Sequence, residues 1–375
     1  MTYLEGMIPA ARTEPAPVRM PFFGLAPWAA ITTVLSLLAL ALVGPQGALF
    51  QLLLAIALGG AIMAAVYHAE VLAHYLGEPF GTLTLALAVT VIETALIVSI
   101  MLGDGAAAQT LARDTLIAAI MITINAIVDI CLLVGGTRHH EQSYTQSGVS
   151  VGLAMLATLA MLTLVLPNYT VSERGPFYSA SQLAFVAIVS LVIYATFVVA
   201  QTLRHRDHFL HGQPDDHAHE EPVSPGKARA ASVMLVLSLI AVVLLAKSLS
   251  PAIEATVAWL GAPKAVVGIV IAGLVLAPEG FAALRAARAN RVQTSLNLAI
   301  GSALATIGLT IPAVACIALV MGLDLELGLP MGNTVLLALT LFVASLTLGT
   351  GRTTIVQGVI HLVLFATYLF IALVP

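Results

Sequence analysis

Two glutamates stand alone in long apolar stretches of the sequence. Glu93 lies in LTLALAVTVIETALIVSIML, residues 83–102, with no other charged residue between Glu78 and Asp104. Glu279 follows Pro278 in the apolar segment LVLAPEG. A carboxylate in hydrocarbon costs several kcal/mol unless a proton or a cation neutralises it. These glutamates are therefore predicted to hold protons or to bind a mobile positive ion.

Polar residues follow each glutamate at helical spacing. Asn125 and Asp129 in TINAIVDICLL, and Ser302 and Thr306 in GSALATIGL, are four residues apart, so each pair shares a helix face. Together with Thr90, they are candidate oxygen ligands, because hard cations prefer neutral and carboxylate oxygens. The alternative is structural: such residues also hold membrane helices together, and Asp129 could bond a neighbouring backbone.

Glu93, Glu279 and Asp129 are the acids that fall within predicted spans, and no lysine or arginine lies deep enough to pair with them. Protons and a cation would then compete to neutralise the same carboxylates. This competition is the physical basis of cation/proton exchange. The alternative is a pair of structural carboxyls kept protonated by helix contacts. Since no thiolate or histidine cluster lies at that depth, Ca²⁺ or Na⁺ is the favoured ion.

The surrounding sequence is that of an all-α polytopic membrane protein. Of 375 residues, 59% are hydrophobic and 9% are charged. Apolar runs near the 20 residues of a membrane span predict about eleven transmembrane helices. Their expected bounds are 26–43, 48–67, 82–103, 115–135, 148–166, 178–200, 231–248, 264–283, 293–321, 332–348 and 354–374.

A hydrophilic segment divides the chain into two similar halves. Each half places its glutamate on its second helix, and five spans separate the two, so these helices run in opposite directions as an inverted repeat. The expected units are a disordered cytoplasmic leader (1–25), an extra transmembrane helix (26–47), a first five-helix repeat (48–203), a cytoplasmic linker (204–229) and a second five-helix repeat (230–375).

Histidines outside the glutamate segments have two open interpretations each. The linker carries a histidine tract interleaved with acids, which is either a regulatory site for a divalent metal or a flexible solvated connection, and its spacing matches no defined zinc motif. The tract comprises His205, His208, His211, His217 and His219. His361, in the last span, is interpreted as a helix-packing residue, with a proton relay as the alternative.

The two glutamate segments, GTLTLALAVTVIET and LVLAPEGFAALRAARANRVQTSLNLAIGSALATIGLTIP, resemble the calcium/cation antiporter superfamily and its bacterial ChaA-type branch. The resemblance puts the family's ion-binding glutamates on Glu93 and Glu279. Thr90 and Val89 replace the asparagine and glycine of the family's Gly-Asn-x-x-Glu motif. The resemblance also implies ten core helices in two inverted halves. It further implies alternating access, in which the spans near 48–67 and 231–248 slide against a rigid bundle.

The sequence thus predicts a secondary antiporter, not an enzyme, that exports cytoplasmic Ca²⁺ or Na⁺, with K⁺ as a further candidate, in exchange for protons. It would need no cofactor and bind no nucleic acid, and its partners would be the ions and the bilayer. Of 15 lysines and arginines, eleven fall in segments that are cytoplasmic if the N-terminus is inside, and four outside. This predicts a multi-pass protein of the bacterial inner membrane with an external C-terminus.

Three other functions are alternatives. The first is an exchanger driven by sodium instead of protons. The second is a membrane scaffold or receptor, which would tolerate loss of Glu93. The third, an intramembrane metalloprotease, is disfavoured because the chain contains no His-Glu-x-x-His sequence. The oligomeric state is not predicted.

Overall fold

The computed structural model describes residues 24–41, 47–77, 80–101, 109–201 and 223–374, and the regular elements in these ranges are helices. Residues 1–23 of the predicted leader, Glu78 and the histidine tract lie outside the described residues. The helices are α1 (Pro27–Ala41), α2 (Ala48–Leu76), α3 (Phe80–Met101), α4 (Leu111–Ile122), α5 (Val128–His139), α6 (Gln146–Ala160), α7 (Ala180–Val199), α8 (Pro225–Trp259), α9 (Ala265–Arg288), α10 (Val292–Met321), α11 (Met331–Thr347) and α12 (Ile355–Leu373).

A π-helical turn, Thr123–Ile127, joins α4 to α5, so the two form one rod and the described chain contains eleven helical rods. Nine of these are long and apolar enough to cross a membrane, and two shorter apolar helices, Pro27–Leu40 and Thr84–Val98, accompany them. The predicted all-α class with about eleven spans is confirmed.

Several helices extend beyond their predicted apolar cores. α2 continues to Leu76, past the expected end at residue 67, and ends at Gly77, whose φ is +66°. α8 is 35 residues long, against the predicted 231–248. The reason is that hydropathy marks the lipid-facing length, whereas intrahelical hydrogen bonding continues through polar residues until a glycine or a cap ends it.

Short polar motifs begin two of the later helices. The Ser224 side chain accepts a hydrogen bond from Lys227 N at 3.2 Å, and Pro225 occupies the first helical position of α8. At α12, Thr354 Oγ1 accepts from Gln357 N at 3.4 Å while Gln357 Oε1 accepts from Thr354 N at 3.1 Å. This reciprocal capping box satisfies backbone donors that a helix start leaves unpaired.

The apolar interior has two main clusters. The larger is formed chiefly by α4 to α7 and α10 to α12, and the smaller by α2, α8 and the inner faces of α3 and α9. α3 illustrates the division: Ile97 belongs to the larger cluster and Ile92 to the smaller. The glutamate helices α3 and α9 therefore lie between the α2–α8 pair and the rest of the bundle.

The two glutamate helices run antiparallel. Glu70, near the end of α2 and hence near the start of α3, interacts electrostatically with Arg285 near the end of α9. At the opposite side, a Cβ on Gly268 at the start of α9 would come within 2.8 Å of the Asp114 backbone, which follows the end of α3. Gly268 thus permits close contact between α9 and α4. The antiparallel arrangement is that of the predicted inverted repeat.

A buried arginine closes the bundle at the end where α4 begins. Arg113 Nε donates to Asp114 Oδ1 at 2.9 Å, and Arg113 Nη1 donates to Glu326 Oε1 and, at 3.2 Å, to Gly328 O. Asn168 Nδ2 reaches Leu329 O of the same loop at 2.7 Å. The segment before α11 is therefore bound to α4 and to the helical turns Met161–Val165 and Leu166–Tyr169, which continue from α6.

Candidate functional site

Both glutamates face one helix, α10. Glu93 is buried, with 2% of its surface exposed, and its Oε2 accepts a hydrogen bond from Thr310 Oγ1 at 2.9 Å. Glu279 is half-buried, and its Oε2 accepts a hydrogen bond from Ser302 Oγ. Since α3 and α9 come from the two halves of the chain, the site joins one carboxylate from each half through hydroxyls of a third helix.

The hydroxyls on α10 form a track between the carboxylates. Ser302, Thr306 and Thr310 are spaced by four residues, so they lie on one face over about 12 Å of helix. Thr306, between Ser302 and Thr310 on this face, also interacts with Glu93, and the two glutamates interact electrostatically. Thr310 is the site residue that the sequence prediction missed, although it extends the same four-residue spacing by one turn.

Two further features of the glutamate helices bear on oxygen supply. Pro278 is buried within α9 and has no N–H, so the carbonyl of Leu274 has no helical partner there. Thr90 is buried on α3, one turn before Glu93, and its hydroxyl donates to Ala86 O at 2.8 Å. The Thr90 oxygen keeps lone pairs, and its predicted part in ion binding stays a prediction.

Neither glutamate is paired with a basic side chain in the part of the chain that the structure describes. The ion pairs there join Arg113 to Asp114 and Glu326, Arg352 to Glu141, and His361 to Asp129. The carboxylates at the site therefore lack a fixed countercharge. Hydroxyl donors and the bilayer interior alone cannot balance two ionised groups, so protons or a mobile cation must.

Asn125 and Asp129 have their closest polar partners on α11 and α12, where they form a second buried cluster with His361 of α12. His361 Nδ1 lies 2.8 Å from Asn125 Oδ1 and 3.7 Å from Asp129 Oδ2, and its Nε2 lies 2.8 Å from Thr347 Oγ1. Asn125 Nδ2 donates to Thr340 Oγ1 at 2.8 Å. We name these five residues the α12 cluster, and we leave Asn125 and Asp129 out of the cation shell proposed below.

The π-helical turn offers a physical reason for this placement. Asn125 lies within Thr123–Ile127, where one extra residue per turn rotates the following side chains relative to a regular α-helix. In α10, the corresponding pair, Ser302 and Thr306, lies in an uninterrupted helix and faces the glutamates. The two polar pairs look alike in sequence, but only one of them reaches the central site.

Within the described residues, no group of three or more histidine, cysteine, aspartate or glutamate side chains is placed to hold a metal ion. The central site has two carboxylates and hydroxyls instead. The histidine tract at 205–219 is outside this description, and its metal binding stays a prediction.

The model of the family described as sodium/calcium exchanger protein matches residues 47–203 and 230–374. The chain belongs to this family. The resemblance inferred from the two glutamate segments is therefore confirmed. The exchanger is a multi-pass membrane transporter and not an enzyme.

Two relatives match nearly the whole exchanger. It is 46% identical to the putative ionic transporter y4hA of Sinorhizobium fredii, over 91% of this chain and 94% of the relative. It is 37% identical to the sodium-potassium/proton antiporter ChaA of Escherichia coli, over 85% of this chain and 87% of the relative.

Solved structures share the fold of the exchanger. Native YfkE superposes with a TM-score of 0.70 over 93% of this chain and 99% of that chain, at 16% identity. The H⁺/Ca²⁺ exchanger CAX superposes with a TM-score of 0.68 over 91% of this chain and 86% of that chain, at 17% identity. At these identities the likeness concerns the fold alone.

Proposed function

We propose that the exchanger moves a cytoplasmic cation outward in exchange for protons, and that Glu93 and Glu279 form the shared binding site. One observation carries this proposal: a buried carboxylate, Glu93, and a half-buried one, Glu279, come from antiparallel helices, meet the same hydroxyl track and have no basic partner among the described residues. A group of this kind stays in the membrane only when its charge is neutralised.

Charge neutrality couples the two ions. The site is neutral with two protons, with one Ca²⁺, or with one Na⁺ and one proton, whereas the empty site has two uncompensated charges in a low-dielectric interior. Reorientation of the empty site across the membrane is therefore the costly step. Cation release and proton uptake occur on the same side, and the filled site then returns, which converts a proton gradient into cation export.

The oxygen ligands available at the site favour a hard cation. Glu93, Glu279, Ser302, Thr306 and Thr310 supply carboxylate and hydroxyl oxygens, the ligands that Ca²⁺ and Na⁺ prefer. The names of the relatives agree with this class: one is a sodium-potassium/proton antiporter and one fold match is an H⁺/Ca²⁺ exchanger. Ca²⁺ and Na⁺ are the proposed cargo, and K⁺ is a further candidate.

Alternating access would use the division of the apolar interior. α2 and α8 pack along each other and share the smaller cluster with α3 and α9, whose other faces belong to the larger one. Movement of the α2–α8 pair over the glutamate helices would open the site to one side and then to the other. This pair is the sliding unit expected from the family resemblance.

We place the exchanger in the bacterial cytoplasmic membrane, with the N-terminus inside. The excess of lysine and arginine at the ends of α5 and α9 and around the starts of α8 and α12 supports this orientation. Both full-length relatives named above are from bacteria.

The test is transport in proteoliposomes with an imposed pH gradient, with Ca²⁺, Na⁺ and K⁺ measured separately. Glu93→Gln and Glu279→Gln should each abolish exchange in protein that still inserts. The reason is that a glutamine amide has no acidic proton to release and no negative charge with which to bind a cation. Glu173→Gln, an exposed glutamate in the α6–α7 connection, is the matched control and should keep the wild-type rate. Uptake that follows an imposed sodium gradient and ignores the pH gradient would support the sodium-driven exchanger instead.

A further inference from the structure

The α12 cluster is a built polar site that the exchange mechanism leaves unused. Asn125, Asp129 and His361 are each 0% exposed, and they lie between α5 and α12 within the membrane-spanning part of the bundle. α12 comes this close because residue 358 is glycine: a Cβ there would lie 2.6 Å from Leu133 Cγ and 3.2 Å from the Asp129 carbonyl oxygen.

Asp129 is the unsatisfied member of the cluster. Neither of its carboxylate oxygens has a hydrogen-bond partner, although both are buried. Among the described residues its ion-pair partner is His361, with Nδ1 at 3.7 Å from Oδ2. An ionised carboxylate without a donor or a countercharge is too costly at this depth, so Asp129 requires a proton of its own or a protonated neighbour.

The hydrogen bonds of His361 are compatible with either location of that proton. Nδ1–H donates to Asn125 Oδ1, whose amide nitrogen is directed at Thr340. Nε2 faces the Thr347 hydroxyl, whose single proton either goes to Nε2 or goes to Val343 O at 2.9 Å. In the first case the ring is neutral and Asp129 is protonated. In the second, Nε2–H donates to Thr347, and the ring is an imidazolium that balances the Asp129 carboxylate.

We propose that Asp129 and His361 share one exchangeable proton, and that this second centre adjusts the cation affinity of the glutamate site to pH. Each of the two forms has one proton more than a neutral imidazole beside an ionised carboxylate. In each form the pair therefore has no net charge. Loss of that proton to solvent leaves one buried negative charge. The second part of the inference rests on the proposed function, whereas the first does not.

The route between the two centres is one helix contact. Gly280, next to Glu279 on α9, faces Ile127, and a Cβ on Gly280 would lie 3.2 Å from Ile127 Cδ1. Ile127 precedes Asp129 by two residues. A negative charge on Asp129 therefore lies one helix away from Glu279 across a low-dielectric interior, where it favours a bound cation over an empty site.

Other charged groups near the cluster are few in the described chain. α11, which supplies Thr340 and Thr347, has no titratable residue. On α5, Cys131 interacts with Asp129. On α4, Asp114 faces Tyr368, two turns beyond His361 on α12. On α9, Glu279 is bonded to Ser302 and Arg285 faces Glu70, so neither compensates the pair.

The first experiment measures cation KM against pH in proteoliposomes for the wild type, Asp129→Asn and His361→Gln. Proton competition at the glutamates persists in all three, so a difference between them isolates the second centre. KM should fall between acid and alkaline pH, and the ratio of the acid to the alkaline KM should be at least about five times larger in the wild type than in either variant. The maximal rates should remain comparable. His139→Gln, at the partly exposed end of α5, is the control and should follow the wild type.

The second experiment is an infrared pH titration of the purified protein, which needs no transport. A protonated carboxylic carbonyl band should disappear in Asp129→Asn, remain in Glu279→Gln, and titrate at a different pH in His361→Gln. A wild-type KM profile in both variants, or loss of exchange at every pH, would overturn the regulatory role. A spectrum unchanged by Asp129→Asn would overturn the shared proton. Absence of exchange in the wild type would count against the proposed function, and the infrared result would still decide the proton centre.

Discussion

Thr310→Val tests the central site at the residue that connects Glu93 to α10. The change removes the hydroxyl that donates to Glu93 Oε2 at 2.9 Å and keeps the shape of the side chain, and both residues are buried. A hydrogen bond to a charged group contributes about 1.5–3 kcal/mol, against about 0.5–1.5 kcal/mol for one between neutral groups. The ionised, cation-binding form of the site therefore loses about 1–1.5 kcal/mol relative to the neutral form.

That difference corresponds to about a tenfold rise in the KM for the cation, since 1.4 kcal/mol is a factor of ten in an equilibrium constant. The assay is the initial rate of cation uptake against cation concentration in proteoliposomes at one fixed pH gradient. Thr163→Val is the matched control, because Thr163 is also buried and its hydroxyl donates only to Leu159 O of its own helix, at 2.7 Å. An unchanged KM for Thr310→Val, or an equal rise in the control, would refute the assignment of the α10 track to ion binding.

Three other changes test the scaffold. Arg113→Ala should lower the free energy of unfolding by about 3–5 kcal/mol, because it leaves the buried Asp114 and the half-buried Glu326 without their partner. Arg352→Ala, in an exposed pair, should cost less than about 1 kcal/mol. Equal shifts of the two variants in thermal unfolding in detergent would contradict this. Gly268→Ala should cost about 1–3 kcal/mol by overpacking against α4, whereas Gly332→Ala, with open space around it, should be nearly neutral in the same assay. Deletion of residues 207–222 should spare exchange, since Ser224 and Pro225 still begin α8, and loss of all flux in inserted protein would contradict this.

The hydropathy pattern was sufficient to predict the all-α class and the number of spans, because each membrane helix satisfies its own backbone hydrogen bonds and needs only apolar length. Helix ends were less predictable. α2 runs nine residues past its expected end at residue 67, and α8 is longer at both ends, because helices continue beyond the bilayer until a cap or a glycine stops them.

The candidate site was predicted in part. Glu93 and Glu279 were evident because isolated acids in apolar spans are costly, and Ser302 and Thr306 because they share a helix face. Thr310 was missed, although its spacing extends that face. The histidine of the last span was interpreted as a packing residue; the structure buries it between helices, with Nδ1 at 3.7 Å from Asp129 Oδ2, a neighbour that the sequence did not predict.

Composition and spacing by themselves therefore determined which residues carry charge into the membrane, how many helices there are, and that the two glutamate helices are antiparallel. Only the tertiary structure decided which polar groups meet. Asn125 and Asp129 have the same four-residue spacing as Ser302 and Thr306, yet the π-helical turn and the close approach of α12 at Gly358 direct them to His361. The physical reason is that the direction of a helix face depends on contacts between helices distant in sequence, whereas charge and hydrophobic length are local properties.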